Sequence, residues 1–393
     1  MKTKLLIIAL ALPLVFGCEK SDVDDNGGKD NTEQGGNAGG YDPDKEDPIV
    51  DLPPLEDVDD VCTKMVDRDF MTYCYDNFDV NKDGKVSMLE ANAQSNGGLV
   101  IECNTAADFT GIEYFTNLTK FQSSSVRTLN LGYNKKLVSI DCCGSQLETI
   151  DLRYNTLVSE ISFRNCEKMT KVLLADEAPL ESVVGNSFSG CSSLSTVSLP
   201  DNCKTIGEKA FYGLTDLSKI KFPKNLESIG DSAFEGCSSL ISVSFPDGLT
   251  SIGVYAFYGC PCKFYGKGAS SDNMVVVIDD ILFYASSAIS GSYVVPDCKS
   301  IGDYAFYGCS GLTSVSFPDG LTSIGFSAFH GCRGLTDVKI FAVRPPIIYH
   351  GHDYYAFDSI STQRVLHVPA RSVDTYKSSH WRRFFDTIVE IED

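Results

Sequence analysis

The chain has 393 residues, fifteen cysteines, only five histidines and a formal net charge of −20. Of that charge, −12 falls between residues 19 and 60, where fifteen Asp and Glu face three Lys, so nucleic acid, which needs a basic face, is not an expected partner. No histidine has an evident nucleophile or base beside it in sequence, and no phosphate loop or dinucleotide fingerprint is present, which argues against an enzyme.

The chain opens with Met1-Lys2-Thr3-Lys4 and then runs apolar from Leu5 to Phe16. Charge followed by a short apolar run predicts a secretion signal over 1–17, too short to span a bilayer as a mature helix. Leu14-Val15-Phe16-Gly17-Cys18 resembles the lipobox of bacterial lipoproteins, which implies cleavage before Cys18 and lipid on its sulfur. Glu19, Asp22, Asp24 and Asp25 resemble the acidic export signals of surface lipoproteins in anaerobic gut and oral bacteria. The expectation is an outer-membrane lipoprotein exposed at the cell surface, touching membrane only through acyl chains. Residues 18–60 have too little apolar surface to offset ordering entropy and predict a disordered, self-repelling acidic tether.

A calcium segment is expected over 61–98. Residues 79–90 read Asp-Val-Asn-Lys-Asp-Gly-Lys-Val-Ser-Met-Leu-Glu and fit the twelve-residue EF-hand loop. Asp79, Asn81 and Asp83 would offer side-chain oxygens, Lys85 its carbonyl, Ser87 a direct or water-mediated oxygen, and Glu90 both carboxylate oxygens. Gly84 allows the sharp turn and Val86 is the apolar position. Met65, Phe70, Tyr73, Cys74 and Phe78 stand near helical spacing and predict an entering helix. One structural Ca2+ is the expected cofactor.

Short coils are expected over 99–187. Apolar triplets such as Val126/Leu129/Leu131 and Leu147/Ile150/Leu152 recur, two triplets making a coil of about 21 residues. Asn134 and Asn155 hold equivalent places, where their amides are expected to bond backbone.

From 188 to 340 the beat lengthens. Phe188, Phe211, Phe234 and Phe257 stand 23 residues apart, as do Phe306 and Phe329. The frame around them is L-x-x-V-x-F-P-x-x-L-x-x-I-G-x-x-A-F-x-G-C. Each coil predicts a short strand at L-x-x-V-x-F, ended by proline, which cannot donate to a ladder. An irregular coil over 260–300 is expected to add a hairpin within Val275–Tyr284. Cys191, Cys237, Cys260, Cys309 and Cys332 share one slot with Leu214, which favours buried thiols over the disulfides that secretion would allow. The remaining residues, 341–393, are expected to cap the apolar end of the stack. The predicted class is an α+β repeat solenoid: a right-handed leucine-rich coil stack with one short parallel strand per coil, after a small helical EF-hand segment.

The I-G-x-x-A-F-x-G-C frame resembles BspA-like leucine-rich repeat surface proteins, with repeats of the Treponema pallidum type. Gly111-Ile-Glu-Tyr-Phe-Thr-Asn-Leu-Thr resembles their opening coil, and His367-Val-Pro-Ala with Tyr376, Trp381 and Phe384 their C-terminal cap. The resemblance implies adhesion to host matrix proteins or other cells, without a shared set of binding residues. Equivalent coil positions hold Tyr212, Tyr258, Tyr307 and His330, with Tyr255, Tyr304 and Phe326 beside them. Stacked at one rung each, these rings predict an aromatic column suited to a host or bacterial surface protein or, alternatively, to a glycan. The same rings would also serve to fill gaps between coils.

Overall fold

The computed structural model describes residues 49–93, 97–349, 355–357 and 364–392. The expected secretion signal, the expected lipidation site Cys18 and the expected tether up to residue 48 lie outside these residues. From Leu99 onward the chain winds as stacked coils, and nearly every strand pairs in parallel with its counterpart one coil away.

Each regular coil carries two short strands, where one was expected. In one coil they are Ser242–Phe245 and Ser251–Ile252. Pro246 ends the first, and Leu249 N–H then donates to the Pro246 carbonyl at 3.2 Å, turning the chain. Beyond the turn Leu249 and Ile252 point inward around polar neighbours, which is enough to restart a strand. The short coils do the same with their two triplets, as at Ser139–Asp141 and Thr149–Leu152.

Strict register makes equal residues stack. Ile229 pairs with Ile206 on one side and Ile252 on the other, and Val315 pairs with Val338. The repeated phenylalanines form a spine: Phe188, Phe211, Phe234 and Phe257 are fully buried, with successive ring centroids 5.1, 5.1 and 5.2 Å apart and planes within 7°. That is about one strand spacing per coil, and each offset pair adds roughly 0.5–1.5 kcal/mol beyond its burial. The glycine of Ile-Gly is a close approach of backbones. A Cβ on Gly253 would lie 2.4 Å from the Asp231 nitrogen, and one on Gly325 2.5 Å from that of Asp303.

Two polar columns run inside the edges. Asn134 Nδ2 donates to the Ile112 and Phe115 carbonyls, and Asn155 Nδ2 to those of Leu131 and Asn134, all at 2.9 Å. On the other edge thiols do this work: Cys191, Cys237, Cys260 and Cys332 donate to carbonyls of the preceding coil at 3.0–3.2 Å. All fourteen cysteines among the described residues are free thiols, and all but the half-buried Cys143 are buried.

The irregular coil contains the expected hairpin, Val275–Ile278 against Ile281–Ala285, the one antiparallel strand pair among the described residues. Its turn residues Asp279 and Asp280 both have positive φ, as a two-residue hairpin loop requires. Leu282 pairs with Ile301 and Tyr293 with Val315, so this coil crosses the aromatic edge with three residues fewer than its neighbour.

Both ends are covered. Helix α1 (Arg68–Phe78) lays Phe70 against Phe109 at 4.8 Å, and Phe78 lies 5.0 Å from Phe115. At the other end Trp381, Phe384 and Phe385 pack on Phe357, and Trp381 Nε1 donates to the Pro346 carbonyl at 2.9 Å.

Residues 50–60 were expected to belong to the disordered tether, and the structure differs there. Residues 50–60 are held against the coils: Tyr154 Oη donates to the Val50 carbonyl at 2.9 Å and Tyr133 Oη to that of Pro53 at 2.8 Å. Leu55 and Val58 pack on the core. These apolar residues, stiffened by Pro53-Pro54, bury enough surface to offset the cost of ordering residues 50–60.

Candidate functional site

The loop over 79–90, expected as a calcium site, lies between α1 and a short helix, α2 (Met88–Ala91). Asp67 caps α1 through the Asp69 and Phe70 N–H groups, and Ser87 caps α2. Glu90 closes the far end of the loop on the near end: Oε1 accepts from Asn81 N–H at 3.3 Å, and Oε2 from Ser87 N–H at 3.0 Å and Ser87 Oγ at 2.8 Å. The bonds from Ser87 hold the Glu90 carboxyl below its ordinary value. Asp79 accepts from Asp83 and Gly84 N–H, Asn81 Oδ1 from Asp83 N–H, and Asp83 from Lys85 N–H. Gly84 sits at φ +81°, as the sharp turn demands.

Among the described residues no three His, Cys, Asp or Glu side chains are gathered closely enough to hold a metal. The loop's carboxylates are spent instead on neighbouring N–H groups. The donor set nevertheless fits a hard cation: it is all oxygen, from Asp79, Asn81, Asp83, the Lys85 carbonyl, Ser87 and Glu90, on a loop already closed by Glu90. With no nitrogen or sulfur donor it does not fit zinc.

One residue that the sequence did not single out ties this loop to the rest. Asp60, only 8 % exposed, accepts at Oδ1 from Cys62 N–H (3.0 Å) and Val86 N–H (3.1 Å), and at Oδ2 from Tyr75 Oη (2.7 Å). Val61 N–H donates to the Val86 carbonyl at 2.9 Å. The Asp60 bond, and then burial, raise the Tyr75 hydroxyl above its usual value. Asp60 occupies the N-cap of a short helical turn, a local signal that was legible in Asp-Val-Cys-Thr; its reach to Val86 was not.

The aromatic positions separate into a cluster and an outlier. Tyr255 meets Tyr304 at 4.4 Å and Tyr307 at 5.1 Å; Tyr258 meets Tyr307 at 5.1 Å; His330 stacks on Tyr307 at 5.2 Å; and Phe326 lies 5.3 Å from Tyr304. All six rings are half-buried. Tyr212 stands apart and exposed, because Glu235 takes the slot in the coil between it and Tyr258.

The cluster spans the irregular coil. In regular coils a Cβ on the turn glycine would meet the previous coil's glycine Cα, 3.5 Å away for both Gly259 and Gly331. At Gly308 it would meet the Tyr258 ring at 3.2 Å. The irregular coil's turn is three residues shorter there, and tyrosines from both sides close over the gap. Tyr255 and Tyr304 do so at φ +57° and +55°, the left-handed slot that Lys209, Ser232 and Ser327 fill elsewhere. A bulky ring there costs about 1 kcal/mol of backbone strain. Burial, then the bond with Tyr304, raises the Tyr255 hydroxyl.

The C-terminal cap holds a cavity of about 360 Å³ between Pro346, Ile348, Tyr355, Trp381, Arg383 and Phe384. Arg383 lies 5.0 Å over the Tyr355 ring. The sequence reading assigned this region to capping alone.

The BspA-type leucine-rich repeat pattern matches six copies, over residues 156–266 and 275–379. No protein of curated function matches the chain. Among solved structures, a leucine-rich cell surface protein of Faecalibacterium prausnitzii is 18% identical, covering 70% of this chain and 80% of its own, with TM-score 0.44. A leucine-rich repeat protein of Bacteroides ovatus is 17% identical, covering 76% and 94%, with TM-score 0.38. The Treponema pallidum leucine-rich repeat protein is 25% identical, covering 55% and 81%, with TM-score 0.28. The repeat match alone spans more than half of the residues, and the chain belongs to the BspA-type leucine-rich repeat family.

Proposed function

We propose that the chain is a non-enzymatic binding protein, displayed at the cell surface on lipidated Cys18, whose solenoid takes a host or bacterial surface protein as partner. The observation that carries the reading is the ring cluster at the shortened coil. The left-handed slot is common to the coils, and at 255 and 304 it holds half-buried rings whose centroids lie 4.4 Å apart, where other coils place Lys209, Ser232 and Ser327. Tyrosine, histidine and half-buried aromatic surface suit a protein interface. A glycan is the second candidate, favoured by the ring content. Against it, Tyr255–Tyr258, Tyr255–Tyr307 and Tyr258–Tyr307 all meet edge to face, so the rings cover one another's faces and leave few open for sugars. Full-length protein screened on immobilised matrix proteins and on a polysaccharide array tests the two together; binding on the polysaccharides alone would reverse the preference.

The loop at 79–90 is read as one structural calcium site, held by Asp79, Asn81, Asp83, the Lys85 carbonyl, Ser87 and Glu90. Calcium there would fix the loop that α1 and α2 flank and so firm the cover on the first coil. Extracellular modules bind at roughly 10⁻⁴ to 10⁻³ M. Calorimetric titration should show one site, abolished by Glu90→Ala; uptake that persists in Glu90→Ala would reject the assignment.

A further inference from the structure

The last residues before the solenoid form a strap. It begins at Val50 on Tyr154, passes Pro53 on Tyr133, packs Leu55 and Val58 on the core, and ends at Asp60. A Cβ on Gly132 would meet Leu52 Cδ1 at 3.0 Å, so the strap lies close on that coil. Val50 therefore lies at the side of the stack, on the coil of Tyr154, and the strap runs from there toward the covered end.

At Asp60 the strap and the calcium loop become one object. Val86 sits between Lys85 and Ser87 at the middle of the loop and is fully buried. Both of its main-chain polar groups are satisfied by the end of the strap: its N–H by the Asp60 carboxylate and its carbonyl by Val61 N–H. The other Asp60 oxygen takes the Tyr75 hydroxyl from α1, the helix that leads into the loop. A loop standing alone would leave those Val86 groups to water. Here every displacement of Val86 is felt at Asp60, and every peeling of the strap at Val86.

We propose that Asp60 is a positioning residue that couples calcium in the 79–90 loop to docking of residues 50–60, so that calcium sets how firmly this strap lies on the solenoid. The inference rests on the calcium reading above. Calcium orders the loop, the ordered loop holds Val86 in place, and Val86 with Tyr75 holds Asp60. By linkage the dependence runs both ways: loosening the strap weakens calcium by the same factor that calcium tightens the strap. With the strap released, residues 50–60 would free up to about 35 Å of chain. The consequence for a surface protein is a longer and less oriented reach wherever calcium is scarce.

The test is hydrogen exchange on the full chain across a calcium titration, with calorimetry on the same samples. Calcium is expected to slow exchange in residues 50–62 of the wild type. Asp60→Asn should weaken calcium about tenfold, the loss expected for one charge-assisted hydrogen bond, and remove the calcium dependence of exchange in the strap. Tyr75→Phe, which deletes a single hydroxyl and serves should Asp60→Asn fold poorly, should move both readouts the same way by a smaller factor. Tyr133→Phe with Tyr154→Phe, far from the loop, should also lower calcium affinity. Calcium binding with unchanged strap exchange, or equal affinity in wild type and Asp60→Asn, overturns the coupling and leaves the site standing. No calcium uptake by the wild type overturns site and coupling alike, and faster exchange at Val86 in Asp60→Asn would then show the knot as purely structural.

Discussion

The coils from Phe188 to Phe257 repeat one length, whereas the coil over 260–300 adds a hairpin and is three residues shorter at one edge. In the first group each coil repeats its neighbour, so rings, glycines and thiols lie over their equivalents at one strand spacing. In the second, three residues are missing from the turn, and Tyr284 meets Phe257 edge to face at 5.8 Å where a stacked phenylalanine would have been. Uniform repetition makes a stable rod with the same surface on every rung. A defect in it makes one place unlike the rest, and in this molecule that place gathers tyrosines.

The largest expected effect is on the regular side. Phe234→Ala empties a site stacked on both faces and should cost about 3–5 kcal/mol in denaturant unfolding, in the range of large-to-small core changes. Tyr258→Ala removes a half-exposed ring from the gap and should cost roughly 1–2 kcal/mol in the same experiment. Equal costs at the two positions would erase the distinction between spine and cluster. Next is Asn134→Ala, which strips partners from two buried carbonyls at 2.9 Å and should lower stability by about 2–4 kcal/mol, midway between those two.

A smaller and qualitative effect concerns the thiols. Native protein treated with a thiol-alkylating reagent should be modified at Cys143 well ahead of the thirteen buried cysteines, which react only after unfolding. Unfolded protein that resists alkylation until a reductant is added would mean that the column is oxidised. The smallest effect is on pH. The folded Glu90 carboxyl is held below its unfolded value, so its contribution is present above the unfolded pKa and is lost as pH falls through the lower folded value. Order in the loop, followed by exchange at Ser87 and Asn81, should thus survive mild acidification. Its loss at pH values above the ordinary carboxylate range would contradict that direction.

Much of this was legible in the sequence because repetition turns local pattern into position. The 23-residue beat of the phenylalanines sufficed to place them on one axis, Asn134 and Asn155 were correctly read as backbone ligands, and Val275–Tyr284 as a hairpin. The second strand of each coil was hidden because Ser-Ile is too short to show alternation. The strap was hidden for the opposite reason: Val50, Leu52 and Leu55 are diluted among acids, and their partners Tyr133 and Tyr154 lie 80 and 104 residues downstream of the carbonyls they hold. The same holds for Asp60 and Val86, 26 residues apart. Tyr212 was grouped with the other rings because equivalence in the frame says nothing about the coil between, where Glu235 interrupts the column.

The most direct measurement compares binding by wild type and by the Tyr258→Ala/Tyr307→Ala double variant, on whichever surface protein or polysaccharide the wild type captures, with Tyr212→Ala as the control outside the cluster. The account expects at least a tenfold loss for the double variant, unchanged binding for Tyr212→Ala, and the same calcium uptake in all three. Undiminished binding by the double variant would place the partner elsewhere on the solenoid and reduce the rings to packing.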